Sequence, residues 1–416
     1  MVMLCMAAAG AGDCRIVWSL TVPDHELSEG VAVGGLSDLT PAAGQTRGTA
    51  LWTLTDRGPN GSLQRQGKKV RTLLSPGFVP CLVLLRIAGD EARSLTVERT
   101  LQLVAPDGKP LSGRPLAGRD DPVFGADGAS EVPCDARGVD PEAVVSMADG
   151  TFWIGEEYGP SLLHVSAAGR VLGRFLPEGT AAAEDGAEVV RSLPAVYGRR
   201  RENRGFEALA AAGDGSRLWA LLQSPLDNPG PKAGRKTGNV RLLAFDPRQG
   251  RPVAEHVYRL GDPMDEAYLR GGAVPDDGKL CAMAALDDAT LLVLEQDDDG
   301  LARLYVTSLT GATDTLGGKP SAADDLEEVR DLVGAGISPV RKTLAADLGS
   351  LRRTMKKQAD GGEKQGGPLK LEGLAVVDGR HVLLIDDNDF SVVGADPRSR
   401  ATMLWMVELE NPLPGF

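Results

Sequence analysis

One sequence motif recurs along the 416-residue chain and constrains its fold more than any other feature. Each copy has a short apolar segment that begins with Glu, a turn, and a second apolar segment that ends in acidic or amide residues. Clear copies begin at Glu142, Glu207 and Glu372. A copy at Met283 lacks the Glu, and the first copy, at Glu29, has a longer loop before its second segment. Repetition of this kind predicts an array of similar structural units.

Each unit contains more than a hairpin. Asp-Gly turns such as Asp149-Gly150 separate two β-prone segments, which is a strong hairpin signal. Further strand-like segments follow, for example 240–245 and 253–260. About four strands per unit is the composition of a β-propeller blade. We therefore predict an all-β fold with a single β-propeller domain over 15–416, with five clear blades, and with a degenerate sixth in 104–139 as the alternative.

The two ends of the chain complement each other. The last unit has few strands and ends with 403–409, whereas the strand-like segment 15–22 belongs to no unit. We predict that 15–22 completes the last blade and thereby removes a free sheet edge. Within 322–358, apolar residues at helical spacing predict a short helical insertion in the fourth unit.

Composition and termini restrict the partners and the compartment. The formal net charge of -13 argues against nucleic-acid binding, which depends on Lys and Arg. No apolar segment approaches the roughly 20 residues that a membrane span requires. Residues 1–14 resemble the remnant of an export signal without its basic start. We expect a monomer, periplasmic or secreted, whose partner is a small molecule.

The hairpins also predict a site. The start of a first strand and the end of the antiparallel second strand lie at the same edge of a sheet. The ring would therefore gather acids from distant parts of the chain at one mouth of its channel. These acids offer only oxygen atoms as ligands, which suits Ca²⁺, with Mg²⁺ as the alternative. The predicted ligands are Glu29, Asp56, Glu142, Glu156, Glu207, Glu372 and Asp387. In the simpler interpretation, these carboxylates only cap backbone N–H groups or pair with Arg.

Other polar residues lie beside the predicted acids. Arg57 follows Asp56, and its guanidinium is either a counter-ion or a ligand for a phosphate oxygen. Glu157 and Glu295 are further candidates for catalysis together with Arg57. Candidates for substrate binding are Arg57, Arg204, Tyr158 and Asn388.

Several motifs together resemble one known family. Asp56-Arg57-Gly-Pro, Gly155-Glu156-Glu157-Tyr-Gly-Pro160, Asn203-Arg-Gly-Phe-Glu207 and Lys370-Leu-Glu372-Gly-Leu are similar to motifs of the esterase-like, phytase-like family of bacterial β-propeller proteins. The similarity covers nearly the whole chain. It implies export and the hydrolysis of phosphate or other esters. Two positions depart from the family pattern, because Met283 lies in a unit without the Glu and Gln296-Asp297 replaces an Arg-Asp pair.

Two functional hypotheses follow from these residues. In the first, the protein is a Ca²⁺-dependent phosphoesterase in which Arg57 stabilises the phosphoryl oxygens and a carboxylate such as Glu295 accepts the proton of water. In the second, the cation only holds the blades together and the mouth binds a ligand or a protein partner without catalysis. Hydrolysis of carbonyl esters is a third alternative.

Overall fold

The fold is all-β, as predicted, and it is built mainly from four-stranded antiparallel sheets. The computed structural model describes residues 14–90, 92–116, 122–180, 186–265, 278–318, 320–361, 368–393, 396–397 and 400–416. Residues 1–13 of the proposed export-signal remnant, 1–14, therefore lie outside the described residues. No helix within these ranges is long and apolar enough to cross a membrane.

Five sheets correspond to the five sequence units, and we number them in chain order. The first sheet contains Thr40–Pro41, Ala50–Leu54, Cys81–Ala88 and Ser94–Gln102. The second contains Pro141–Ser146, Phe152–Glu156, Ser161–Val165, Val171–Pro177 and a fifth, parallel strand, Glu188–Leu193. The third contains Phe206–Ala211, Leu218–Leu222, Asn239–Asp246 and Arg251–Arg259.

The last two sheets complete the set and include the chain's first strand. The fourth sheet contains Lys279–Asp287, Thr290–Gln296, Ala302–Ser308 and Arg341–Asp347. The fifth contains Lys370–Val376, His381–Asp387, Met403–Leu409 and the N-terminal strand Cys14–Thr21. Cys14–Thr21 pairs antiparallel with Met403–Leu409, so the predicted completion of the last sheet by the N-terminal segment is confirmed.

Apolar clusters join each sheet to the next. Leu54 and Ile154 belong to one cluster between the first and second sheets, and Trp153 and Trp219 belong to another that connects the second and third. The latter cluster extends into the fourth sheet, and a further cluster joins the fourth and fifth. The fifth sheet packs back on the first, where Leu383 meets Leu51 in a fourth cluster. The first strands of successive sheets also contact one another, and the fifth contacts the first.

A small sheet covers the polar ends of these strands. It contains Asn60–Arg65, Lys68–Leu73 and the parallel strand Val123–Phe124. Its own small core consists of Leu73, Val123 and Val132. In the described part of 104–139, Val123–Phe124 is the only strand, so this region does not supply a sixth blade. A two-stranded ribbon pairs Val392–Val393 with Asp396–Pro397.

The predicted helical insertion at 322–358 is wrong as one element. A 3₁₀ helix occupies Ser321–Glu328, an α-helix occupies Gly349–Ala359, and the strand Arg341–Asp347 lies between them. The α-helix docks through buried Arg352, which donates to the carbonyls of Leu369, Asp297 and Leu301. The other 3₁₀ helices are Ala195–Arg199, Ala233–Arg235 and Asp389–Ser391.

Candidate functional site

A cavity of about 950 Å³ lies where the polar ends of all five sheets meet. Its lining combines acids from the ends of the strands with bases, three of which belong to the hairpin 60–73. The lining acids are Asp56, Glu142, Glu157, Glu202, Glu207, Glu372, Asp387 and Asp389. The lining bases are Arg57, Lys68, Lys69, Arg71, Arg204, Lys279 and Lys370.

A β-bulge in each first strand places the repeat residue. The register between the first two strands shifts by one residue at the same point in every sheet. Such an extra residue locally re-aims its side chain. The extra residue is Glu142, Glu207, Cys281 and Glu372 in the second to fifth sheets. In the first sheet it lies between Leu36 and Thr40, where Ser37 has the position of Glu142. Three of them, Glu142, Glu207 and Glu372, line the cavity.

The strand register corrects the predicted position of Glu29, the first of the predicted ligands. Glu29 is exposed in a turn with φ 57°, outside any named strand, so its assignment to a first strand is wrong. Ser37 has the corresponding position in the first sheet, and it is followed by Asp38. The Asp38 carboxylate is buried and accepts hydrogen bonds from the N–H groups of Leu39 (2.7 Å) and Val144 (2.8 Å). Asp38 therefore links the first and second sheets.

A second column of polar residues follows the second strands. Asp56, Glu157, Gln223 and Asp387 line the cavity from four sheets, and Gln296 is their counterpart in the fourth. The residues just before them have the opposite orientation, because side chains alternate along a strand. This alternation places Glu157 in the cavity lining and directs Glu156 away from it. The two adjacent acids therefore have different surroundings.

Glu156, a predicted metal ligand, does not line the cavity, and its carboxylate is engaged in other contacts. It is fully buried in the turn that follows its strand. Its carboxylate accepts hydrogen bonds from the N–H groups of Tyr158 and Gly159, each at 2.8 Å, and from the hydroxyl of Ser161 at 2.5 Å. These bonds stabilise the turn, which is the capping role considered as the simpler interpretation.

Glu295 is likewise outside the cavity, so its predicted role in proton transfer does not fit the structure. It forms a buried ion pair with Lys342. Its carboxylate also accepts hydrogen bonds from the Tyr258 hydroxyl (2.5 Å) and the Gly261 N–H (3.0 Å). Glu295 is a counter-ion between the third and fourth sheets.

Two predicted substrate-binding residues also have structural roles. Tyr158 is buried, and its hydroxyl donates to the carbonyl of Gly113 at 2.9 Å. The Asn388 amide donates to the carbonyl of Arg400 (2.9 Å) and its oxygen accepts the N–H of Gly35 (3.2 Å). Neither residue lines the cavity. Arg204 does line it, and donates to the carbonyl of Gly278 at 3.4 Å.

Three buried carboxylates offer a cation site. Oxygen atoms of Asp140, Glu142 and Glu157 lie within 4.8 Å of one another. No donor among the described residues forms a hydrogen bond with Glu157 Oε2, although Arg57 Nη1 lies 4.0 Å away. Carboxylate oxygens at this spacing suit a hard divalent cation such as Ca²⁺. The residues therefore fit the predicted cation, and Asp140 is a member that the predicted ligand set lacked.

The crowding of these acids changes their protonation. Burial, followed by repulsion from Asp140, raises the pKa of Glu157 to about 7. Burial and Asp387 raise the pKa of Glu372 to about 8. The pKa of Glu142 is raised well above its usual value by burial and then by Glu207. Carboxylates in this state gain most from a cation, because it neutralises their mutual repulsion.

The bases of the fifth sheet offset part of this charge. Lys370 lies two residues before the bulge and forms ion pairs with Asp387 (3.0 Å) and Asp389 (2.5 Å). Burial acts to raise the pKa of Asp387, but Lys370 outweighs it and the pKa is lowered. Asp387 is therefore an ionised partner of Lys370, whereas Glu142, Glu207 and Glu372 are less compensated.

Arg57 connects the first sheet to the second. Its N–H donates to Asp140 Oδ1 at 3.0 Å, and its guanidinium forms an ion pair with Asp140 Oδ2. The same guanidinium donates to Asn203 Oδ1 at 2.7 Å. Arg71, from the covering hairpin, donates to that oxygen at the same distance. The sequence prediction included Arg57 but missed Asp140, Arg71 and Asn203.

The sequence does contain a signal for which acid of the Glu156-Glu157 pair lines the cavity. Trp52, Trp153 and Trp219 occupy the same position in three second strands, and the cavity residue follows each Trp by four positions. Aligning the units on Trp selects Glu157 rather than Glu156. The contacts of Arg71 and Asn203 leave no such periodic signal.

The fold and the cavity define an all-β protein with a buried, cation-competent acidic site. The family model "Phytase-like", described as "Esterase-like activity of phytase", matches residues 31–390. The chain belongs to this phytase-like family. An "Uncharacterized secreted protein" of Arthroderma benhamiae is 28% identical over 239 residues, which are 50% of this chain and 46% of that protein. The match thus spans about half of that relative.

Two solved structures with some similarity to this chain belong to proteins named for other activities. The PQQ-bound aldose sugar dehydrogenase of Streptomyces coelicolor is 11% identical, with 97% of this chain and 100% of that chain covered and a TM-score of 0.36. A luciferin-regenerating enzyme is 10% identical, with 92% and 95% covered and the same TM-score of 0.36. Similarity at this level carries no inference about function.

Proposed function

We propose that this protein is a divalent-cation-dependent phosphoesterase, with Ca²⁺ as the preferred ion and a small phosphate ester as its substrate. The observation that supports the proposal is the cavity in which the carboxylates of Asp140, Glu142 and Glu157 converge. Three bases of the covering hairpin, Lys68, Lys69 and Arg71, form the basic rim of this cavity. Membership of a family described by esterase-like activity supports ester hydrolysis. The rim supports an anionic substrate, because its cations attract a phosphate toward the acids.

We also propose that the five sheets form one β-propeller around this cavity. The proposal is supported by the cyclic contacts of the first strands and by the apolar cluster that joins the fifth sheet to the first. A closed ring would hold carboxylates from distant parts of the chain on a rigid frame. Positioning on such a frame favours catalysis.

The residues of the site have distinct proposed roles. Asp140, Glu142 and Glu157 hold the cation, which would polarise the phosphoryl oxygen and lower the pKa of a bound water. Arg57 donates hydrogen bonds to the phosphoryl oxygens, where negative charge develops. Glu207 accepts the proton of the attacking water. Its Oε2 is buried and accepts no hydrogen bond from the described residues, and burial raises its pKa.

A second candidate function is binding without catalysis. The specific observation is that Glu142 is repelled by Glu207 and Glu372 of the third and fifth sheets, so a cation that relieved this repulsion would stabilise the packing of three sheets even if no bond were cleaved. In that case the basic rim would bind an anionic ligand or a partner. Secretion is proposed for either function, since the Arthroderma benhamiae relative is named a secreted protein. A monomer remains our expectation.

The deciding experiment compares turnover with and without the cation. Purified protein is assayed on phytate and on p-nitrophenyl phosphate in Ca²⁺ and in EDTA. Glu142→Gln is the test variant, and Glu178→Gln is the control because Glu178 is exposed and does not line the cavity. We expect Ca²⁺-dependent turnover that Glu142→Gln abolishes and Glu178→Gln retains.

Other results select the second candidate or reject both. Loss of thermal stability in EDTA, with no cleavage of either ester in Ca²⁺, would support the binding protein. Turnover that EDTA leaves unchanged would contradict the role of the cation. Hydrolysis of p-nitrophenyl acetate without hydrolysis of either phosphate would point to carbonyl esters instead.

A further inference from the structure

Two arginines that line the cavity donate hydrogen bonds to the same neutral side-chain oxygen. Arg57 Nη1 and Arg71 Nη1 each donate to Asn203 Oδ1 at 2.7 Å. The two nitrogens therefore lie at most twice that distance apart. Like charges this close repel by several kcal/mol near a protein surface, on the order of 332/(εr) with ε about 20. Burial and then Arg57 lower the pKa of Arg71, which is consistent with this repulsion.

Nearby carboxylates compensate the two cations unequally. Arg57 pairs with buried Asp140, and Glu157 is 4.0 Å away. Arg71 has Glu202 at 3.7 Å, but that side chain is 45% exposed. An exposed ion pair at this distance contributes little. Glu157 and Asp140 also attract Arg71, but its pKa remains lowered, so its positive charge at the cavity wall is only partly compensated.

One donor of the buried arginine is also unused. Arg57 is only 7% exposed, and its Nε donates to no acceptor among the described residues. Leaving a buried charged donor without an acceptor costs free energy. Guanidinium groups offer donors in a planar fork that matches the oxygens of a phosphate. Arg57 and Arg71 thus supply donors from two sides for one anionic group.

Asn203 holds this pair together in an uncommon backbone conformation. Its φ is 54°, in the left-handed region that Asn adopts more readily than most residues. It lies on the loop that precedes the strand Phe206–Ala211. Its side-chain oxygen lies between the guanidinium groups without neutralising them. An Asp here would neutralise them, so the neutral amide preserves an attraction for anions.

We propose that Arg57, Arg71 and Asn203 form a subsite for one tetrahedral oxyanion, the phosphoryl group of a substrate ester or free phosphate. The subsite rests on the proposed function only in supposing that the substrate carries a phosphate. Arg57 and Arg71 contact the anion. Asn203 is a positioning residue that sets the spacing of the two guanidinium groups.

The test measures binding of inorganic phosphate to the full-length, Ca²⁺-loaded protein by isothermal titration calorimetry. We expect Arg71→Gln and Asn203→Asp each to raise the phosphate Kd about tenfold, the loss of one charge-assisted contact. Arg99→Gln is the matched control, because Arg99 is exposed on the outermost strand of the first sheet and does not line the cavity. It removes the same charge and should leave the Kd within twofold.

A second measurement separates positioning from folding. Melting temperature and near-ultraviolet circular dichroism identify any variant that fails to fold. Arg71 lies on the hairpin, with a side chain 29% exposed, so its variant should fold even if Asn203→Asp does not. In assays with p-nitrophenyl phosphate, both variants should raise KM about tenfold and change kcat less than threefold.

The outcomes distinguish this subsite from the proposed catalysis. Phosphate binding that depends on Arg71 in a protein without turnover supports the subsite and rejects the phosphoesterase. Turnover with a phosphate Kd within twofold of wild type in both variants overturns the subsite alone. Loss of phosphate binding in Glu142→Gln but in neither Arg71→Gln nor Asn203→Asp also overturns it, because the cation would then bind the phosphate.

Discussion

Arg57 and Asp140 are 83 residues apart in the chain, yet Asp140 accepts hydrogen bonds from both the backbone N–H and the guanidinium of Arg57. The contact joins the end of a second strand in the first sheet to the start of a first strand in the second. It also fixes one carboxylate of the proposed cation site. A single ion pair therefore couples the packing of two sheets to the geometry of the cavity.

Removal of the Asp140 charge should destabilise the protein strongly. Asp140→Asn leaves the buried Arg57 without its main counter-charge, and we expect the free energy of unfolding to fall by about 3 kcal/mol. Urea denaturation in EDTA measures this change without a cation contribution. The control is Asp107→Asn, whose partner Lys109 is exposed, and it should leave the urea midpoint close to that of the wild type. Equal effects of the two substitutions would show that the buried pair has no special role.

Gly113 should be essential for the wall of the cavity. A Cβ at this position would lie 1.7 Å from the carbonyl oxygen of Arg57. We expect Gly113→Ala to displace Arg57 and to lower stability by about 2–3 kcal/mol. At Gly213, an added Cβ meets nothing within 4 Å, so Gly213→Ala should lie within about 0.5 kcal/mol of wild type. Phosphate affinity, measured on both, should fall only for Gly113→Ala.

The cation-free protein should lose stability as the pH rises. The folded-state pKa values of Glu157 (about 7) and Glu372 (about 8) are raised above the usual value for Glu. Between about pH 4.3 and these values the folded state binds more protons than the unfolded state, so the free energy of unfolding falls with pH and levels off above pH 8. Melting temperatures in EDTA and in Ca²⁺ across this range test the prediction.

A variant isolates the groups responsible for that pH dependence. Glu372→Gln should flatten the decline in EDTA, since it removes one of the two carboxylates. Glu98→Gln serves as the control, because the pKa of Glu98 is lowered by its hydrogen bond to Arg86 and it does not line the cavity. A melting temperature in EDTA that rises from about pH 5 to 8 in the wild type would refute the assignment.

Substitution by Gln should have different effects at Glu295 and at Glu157. Glu295→Gln removes the carboxylate that pairs with buried Lys342, and we expect a loss of about 3 kcal/mol with turnover retained in the folded fraction. Glu157→Gln should instead abolish turnover and weaken Ca²⁺ binding. Urea denaturation, calcium titration and assay of both variants check this. Inactive but stable Glu295→Gln would restore Glu295 as a catalytic candidate.

Local signals account for most of what the sequence predicted correctly. Asp149-Gly150 and Asp378-Gly379 lie between paired strands, as the hairpin signal indicated. The predicted segments 302–308 and 403–409 coincide with the strands Ala302–Ser308 and Met403–Leu409. These predictions succeed because turn residues and alternating apolar residues act over only a few positions.

The errors concern which residue of a strand faces the cavity and which distant segments pair with each other. Choosing Glu156 over Glu157 is a slip of one residue, and on a strand this reverses the direction of the side chain. The error at Glu29 is larger, since the corresponding position, Ser37, lies eight residues further on. The helical spacing in 322–358 competed with a strand, Arg341–Asp347, whose pairing with Ala302–Ser308 is not visible locally.

By itself, the sequence determined the repeating unit, its hairpins and the columns of acids at the ends of the strands, because these depend on contacts between near neighbours. Only the tertiary structure decided which acid of each adjacent pair enters the cavity and that Asp140 binds Arg57. It also brought Asn203 between Arg57 and Arg71. These relationships join residues up to 146 positions apart. They depend on the register of each bulge and on the packing of one sheet against the next, and no local pattern encodes either.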